Sequence, residues 1–220
     1  MKKMVLVFAA SVITLFAAQS VKAQNFTFGV KGGLNLSMWT IDESSLKPGF
    51  HIGGFANIQF NEYLAIQPEL MYSMMGNRIH ENEEVKILGN EYYAELTQTT
   101  TSHNIVVPVM VQIMPIPALK IEVGPQFGFN LGMSSHIKFE TNVAGQNNYE
   151  RDMDVEKDTY NLFEFGIAAG LSYDITKNII VGARYNYGIT PLADETKAGD
   201  IVLNEATHTH NIMISLGYRF

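Results

Sequence analysis

The chain has 220 residues, no cysteine, and a formal charge of −7 from 22 acidic and 15 basic side chains. That length suits one domain. The missing cysteine excludes a disulfide framework and a lipid-modified N-terminal Cys, and the acidic balance argues against nucleic acid, whose phosphates need a basic surface.

Residues 1–23 have the anatomy of a secretory signal: Lys2 and Lys3, an uncharged stretch from Met4 to Ala18, then Val21-Lys22-Ala23 before Gln24. The apolar stretch falls short of the ~20 residues a helical anchor needs. The reading is therefore a cleaved signal over 1–23 and one domain over 24–220. Losing Lys2, Lys3 and Lys22 leaves 12 basic and 22 acidic residues, a charge of −10. Beyond the signal no apolar run reaches the ~18 residues of a membrane helix.

Alternating apolar and polar segments occupy the rest of the chain. Strands are predicted near 26–36, 50–60, 63–75, 101–113, 118–132, 160–173, 179–190 and 208–220. The fifth sets Leu119, Ile121, Val123, Phe127, Phe129 and Leu131 on one face and Lys120, Glu122, Gly124, Gln126, Gly128 and Asn130 on the other. The sixth opposes Phe163, Phe165, Ile167 and Leu171 to Glu164, Gly166, Ala168, Gly170 and Ser172, and the seventh opposes Ile179, Val181, Ala183 and Tyr185 to Gly182, Arg184 and Asn186. The second and fourth are less regular, because Phe55, Val106 and Met110 fall on the nominally polar side. The chain closes on Ile212 to Phe220, with Ile212, Ile214, Leu216, Tyr218 and Phe220 on one face.

Connections alternate in length. Those after the first, third, fifth and seventh strands hold roughly 13, 25, 27 and 17 residues, and the others only about 2 to 5. The long ones concentrate the acidic side chains, most densely from Glu150 to Asp158. This is the pattern of an all-β fold: an eight-stranded antiparallel up-and-down transmembrane β-barrel with short periplasmic turns and long extracellular loops. A lipocalin-like soluble barrel is the competing architecture. It would point its apolar face inward, whereas Phe26, Phe60, Tyr63, Tyr173, Tyr187, Tyr218 and Phe220 near the strand ends fit interfacial girdles. The expected location is the outer membrane of a Gram-negative cell.

Parity then sends Lys31, Glu69, Lys120, Glu122, Glu164, Arg184 and Arg219 inward. Eight strands enclose little more than their own side chains, and charges there are costly unless paired. A salt-bridge network filling the lumen is expected, with a charged constriction in a narrow pore as the alternative.

Several stretches carry a resemblance. Gly29-Val30-Lys31-Gly32-Gly33-Leu34-Asn35, Pro48 to Phe55, Gln67-Pro68-Glu69-Leu70, Val107-Pro108-Val109, Gly124 to Gly128, Gly182-Ala183-Arg184-Tyr185 and the ending Gly217-Tyr218-Arg219-Phe220 resemble the outer-membrane β-barrel family abundant in Bacteroidetes, the porin-family or PorT-like proteins. The resemblance spans essentially the whole mature chain. It implies insertion by the outer-membrane assembly machinery, which reads an aromatic-ended last strand, here Tyr218 and Phe220. It implies no reaction, since the family has no shared catalytic motif.

No catalytic, cofactor-binding or metal-binding residue is assigned. His51, His80, His103, His136, His208 and His210 fall on loops or the outer half of the barrel; His208 and His210 share a face, but a metal site needs further convergent ligands. His136, Asp152 and Asp154 lack a nucleophile partner. Residues 76–100 and 133–159 are too long for plain connectors; the former has the residues to prolong its flanking strands beyond the membrane, and the loops either offer edges to partner proteins or merely shield the barrel. The expected role is structural or interactive at the cell envelope, touching lipid or lipopolysaccharide and protein partners. A narrow channel and, more weakly, a rim-loop enzyme are the alternatives.

Overall fold

The computed structural model describes residues 25–41, 43–87, 90–142, 147–192 and 207–220. The expected signal segment lies outside them, as does most of the last long loop. Among the described residues ten strands form: β1 (Asn25–Trp39), β2 (Ser44–Ser45), β3 (Lys47–Gln59), β4 (Leu64–Ile87), β5 (Asn90–Ile116), β6 (Leu119–Thr141), β7 (Tyr149–Asp154), β8 (Phe163–Asp174), β9 (Ile179–Gly188) and β10 (Thr209–Arg219).

Eight of these close on themselves in the order β4-β3-β1-β10-β9-β8-β6-β5, with β4 pairing β5 to complete the ring. The seam between first and last strands runs antiparallel from Gly29↔Arg219 to Trp39↔Thr209. Closure removes the sheet edges that would leave backbone groups unpaired in lipid. The small strands β2 and β7 stand outside the ring, on β4 and β6.

The apolar dyad faces outward. Leu34 is 64% exposed, Leu70 61%, Ile52 60% and Leu216 60%. Alternate positions on the same strands, such as Asn35, His51, Glu69 and Met213, are buried in the lumen. A lipocalin-like barrel would reverse these faces, so the outward apolar belt decides against it. No helix among the described residues is long and apolar enough to cross a membrane, so the crossing belongs to the strands.

Short turns are fixed by side chains. Asn61 Oδ1 accepts the Tyr63 amide at 2.8 Å between β3 and β4, and Thr176 Oγ1 accepts the Asn178 and Ile179 amides at 3.2 and 3.0 Å between β8 and β9.

At the other end the structure departs from the expected boundaries. Strands expected to stop near 75 and restart near 101 continue as a hairpin, paired in register from Leu64↔Ile113 to Ile87↔Asn90. β6 follows β5 as far as Ala94↔Thr141. Above the lipid belt both faces of a strand meet polar surroundings, so the hydrophobic alternation fades while backbone pairing continues. The β-branched run Thr99-Thr100-Thr101 keeps that stretch extended. Between His103 and Asn104 the β5–β6 register slips by one: Asn104 pairs Asn130 and His103 pairs Gly132. Leu131 is the extra residue of a β-bulge, and it switches parity on β6. Gln126 and Gly128 face inward below it; Met133 and Ser135 are buried above it.

Candidate functional site: the lumen and its outer cap

Alternation brings one charged side chain into the barrel from every second strand of the ring: Lys31 from β1, Glu69 from β4, Glu122 from β6 and Arg184 from β9. β4 and β9 lie opposite each other in the ring. Arg184 therefore reaches across the full diameter to clasp Glu69, Nη1 to Oε2 and Nη2 to Oε1, both at 2.9 Å. The same Nη2 donates to Glu122 Oε2 at 2.7 Å, and Lys31 Nζ donates to Glu69 Oε1 at 2.6 Å. The guanidinium suits this position because its rigid fork serves two carboxylates at once. Uncharged neighbours complete the carboxylates: Gln67 donates to Glu69 at 2.8 Å, and Gln112 and Ser172 donate to Glu122 at 2.8 and 2.7 Å.

Lys120, Arg219 and Glu164 lie in separate groups. Lys120 and Arg219 share Asp174 at the short-turn end, Arg219 Nη2 lying 3.0 Å from Asp174 Oδ1. The sequence boundaries leave Asp174 in a turn; its even parity on β8 is the signal that could have found it. Glu164 faces the lumen near the opposite end and accepts a hydrogen bond from Thr209 Oγ1 at 2.7 Å. Among the described residues it has no cation within ion-pair distance, so it stands apart from the network. Gly188 leaves space for it, since a Cβ there would come within 2.8 Å of Glu164 Oε1.

A polar web lies beside the ion network. His51 Nδ1 is 2.8 Å from Asn35 Oδ1, and His51 Nε2 is 2.9 Å from Ser215 Oγ. Asn35 Nδ2 donates to Ser73 Oγ at 2.9 Å and to two backbone carbonyls, which fixes its oxygen toward His51. The ring thus donates from Nδ1, and the Ser215 hydroxyl donates to Nε2. Phe55, Val106 and Met110, which break the alternation in the sequence, fill the lumen instead of facing lipid. Val106 packs with Met71 and Met213 in an apolar layer.

Over the long-loop end sits a second apolar cluster, absent from any periodic reading: Trp39, Met133, Tyr160 and Leu192, flanked by Ile41, Val155 and Leu162. Its parts come from the end of β1, from β6 just past the bulge, and from two loops. The amides of Asn161 and Val155 tie it down, bonding Leu192 O at 2.7 Å and Met133 O at 2.9 Å. Burial pushes the Tyr160 phenol above the ordinary tyrosine range.

Histidines at the rim have partners within the protein. His103 bonds Tyr72 at 2.5 Å, His210 bonds Tyr185 at 2.6 Å, and His208 Nδ1 donates to Gly188 O at 2.9 Å. His136 meets Asp152 at 2.7 Å across the β6–β7 pair, while Asp154 lies opposite Ser134. No group of three or more metal-binding side chains converges among the described residues. At the short-turn end Tyr218 and Phe220 expose their rings on the lipid side, edge to face at 5.7 Å.

A ring of eight antiparallel strands, apolar outside and charged within, defines a β-barrel of the outer-membrane type. Residues 17–194 match the family model described as outer membrane protein beta-barrel domain, and the chain belongs to that family. Among solved structures it is similar to Neisserial surface protein A (NspA), at 12% identity and a TM-score of 0.51, over 90% of this chain and 100% of that one. Ail of Yersinia pestis is 13% identical, with a TM-score of 0.39, over 89% and 99% of the two chains. OprG of Pseudomonas aeruginosa is 11% identical, with a TM-score of 0.35, over 90% and 97%. At such identities the NspA likeness speaks for the fold alone. No curated protein matches the chain.

Proposed function

We propose that this outer-membrane barrel serves as an interaction or structural element of the cell envelope, with a lumen that does not conduct. The observation that carries the reading is the sheet raised beyond the lipid belt. β4, β5 and β6 run on together past the belt, and β7 joins β6 through Ser134↔Asp154 to Phe139↔Tyr149. Among the described residues the far edge of β7 has no strand partner, and an unpaired edge offers backbone hydrogen bonds to another chain. Tyr149 and Tyr93 are exposed on this sheet, so aromatic contact is available beside the edge. The diametric Arg184 clasp and the apolar cap support a plugged lumen.

The motif set in Gly29 to Asn35, Pro48 to Phe55 and Gly182 to Tyr185 supports placement in the porin-family, PorT-like group. Tyr218 and Phe220 supply the aromatic ending that the insertion machinery would read, and residues 1–23 would be the export signal. Lipid or lipopolysaccharide would surround the belt.

Planar-bilayer recording of the folded protein tests the plug. Silence from correctly folded barrel is the expected result; steady openings that change when Arg184 or Glu122 is replaced would establish a narrow channel. Replacing residues 80–97 by a two-residue turn tests the interaction surface. The barrel should still fold, as judged by heat-modifiable electrophoretic mobility, while binding to cells or envelope partners falls at least tenfold. Unchanged binding would remove the β4–β5 hairpin from the function and leave the β7 edge as its only candidate.

A further inference from the structure

The short-turn half of the lumen holds a cavity of about 30 Å³ lined by Lys31, Lys120, Arg184, Glu122, Gln67 and Ser215, among others. That is room for about two waters. The charges around it do not balance. Lys31, Lys120, Arg184 and Arg219 are joined by ion pairs to only three carboxylates, Glu69, Glu122 and Asp174. That leaves one positive charge over at this end of the lumen, since Glu164, bonded to Thr209, lies near the opposite end, and a charge drawn away from water is costly unless compensated.

Hydrogen-bonding capacity points the same way. An ammonium has three donors, yet Lys31 makes one hydrogen bond and Lys120 one among the described residues, to Glu69 and Asp174. Their side chains are only 10% and 5% exposed. The acceptors in the cavity wall already take donors from the protein. The amide oxygens of Gln67 and Gln112 take Asn57 Nδ2 at 3.1 and 2.7 Å. The Glu122 oxygens take Gln112, Ser172 and Arg184. The hydroxyl protons of Ser172 and Ser215 are spent on Glu122 and His51. What the two ammonium groups leave unfilled is donors.

We propose that this cavity is a binding site for one small monovalent inorganic anion of halide size, held between the ammonium groups of Lys31 and Lys120 and the Arg184 guanidinium. An anion there neutralises the surplus charge and accepts the spare N–H groups together; water would meet only the second need. Glu122, on the same wall, limits the site to a single charge.

Crystals grown in sodium bromide test the site directly. An anomalous peak in the cavity within hydrogen-bonding reach of Lys31 Nζ and Lys120 Nζ is expected, and a cavity holding water alone would overturn the proposal. In solution, the urea midpoint of the refolded barrel in zwitterionic lipid should rise saturably as sodium bromide replaces sodium gluconate at constant ionic strength. Lys31→Met evens the charge at three against three and should abolish that rise. Lys120→Met makes the same prediction should Lys31→Met fail to fold. A rise that persists unchanged in both variants, or no rise in the parent, would sink the assignment.

Discussion

Arg184 is the side chain on which the lumen turns. Among the described residues it alone touches both buried glutamates, each of which strand parity sends inside. Breaking a buried ion pair by removing one partner leaves the other charge stranded, at a cost of about 3–5 kcal/mol. Arg184→Met should lower folding stability by about that amount, measured as the urea midpoint in lipid vesicles. Arg219→Met, whose ion pair with Asp174 is partly open at 19% and 16% exposure, should cost about 1 kcal/mol or less, as solvent-screened pairs do. Equal losses would show that the clasp is not the main lumen contact. Tyr160 gives a second test. Its phenol is raised by burial, so the unfolded loop ionises first as the pH climbs past about 10. The cap keeps its full stability below that value and loses it above. Trp39, the single tryptophan of the chain, lies in the same cluster. Its emission should therefore shift at alkaline pH in the parent protein and hold steady in Tyr160→Phe.

Strands β4, β5 and β6 each do two jobs along their length. Their lower halves carry the dyad of a membrane strand; their upper halves form an exposed sheet whose pairing no longer depends on lipid. The upper hairpin should open far more readily than the seam between β1 and β10. Hydrogen exchange at amides of residues 78–98 should be at least tenfold faster than at residues 30–36, which sit within paired strands of the belt. The bulge at Leu131 marks the transition, because it turns Met133 into the cap. Leu192→Ala, which trims the same cluster from a loop, should cost about 2–5 kcal/mol at most in cap stability and expose Trp39 to aqueous quenchers without lowering strand content by circular dichroism.

The molecule as a whole stacks unlike layers along one axis. Asp174 with Lys120 and Arg219 stands at the short-turn end, then the Arg184 clasp, with the Met71, Val106 and Met213 layer and the His51 web beside it, and the Trp39 cap at the far end. Small barrels have room for such filling and little more. A channel reading requires both the clasp and the cap to open together. Double replacement of Arg184 by Ala and Leu192 by Ala should therefore raise ion flux more than either alone, read in the same planar bilayer.

Residue order was enough to define the strand dyad, the alternation of short and long connections, and which face each charge would take. Those properties are local: side chains on a strand alternate with period two whatever surrounds them. It also showed Lys31, Glu69, Glu122 and Arg184 pointing inward, but not who meets whom. Partner choice depends on which strands sit opposite in the closed ring, and closure joins Glu69 and Arg184 across 115 positions of sequence. The same holds for Glu164, which took Thr209 as its partner, and for Phe55, Val106 and Met110, whose apparent misplacement became lumen packing. The prolongation of the strands flanking residues 76–100 was legible, but the extension of β6 and its pairing with β7 were not, because no hydrophobic contrast accompanies a strand with water on both faces. The cap was hidden because its members come from two strands and two loops, which only the tertiary fold brings together.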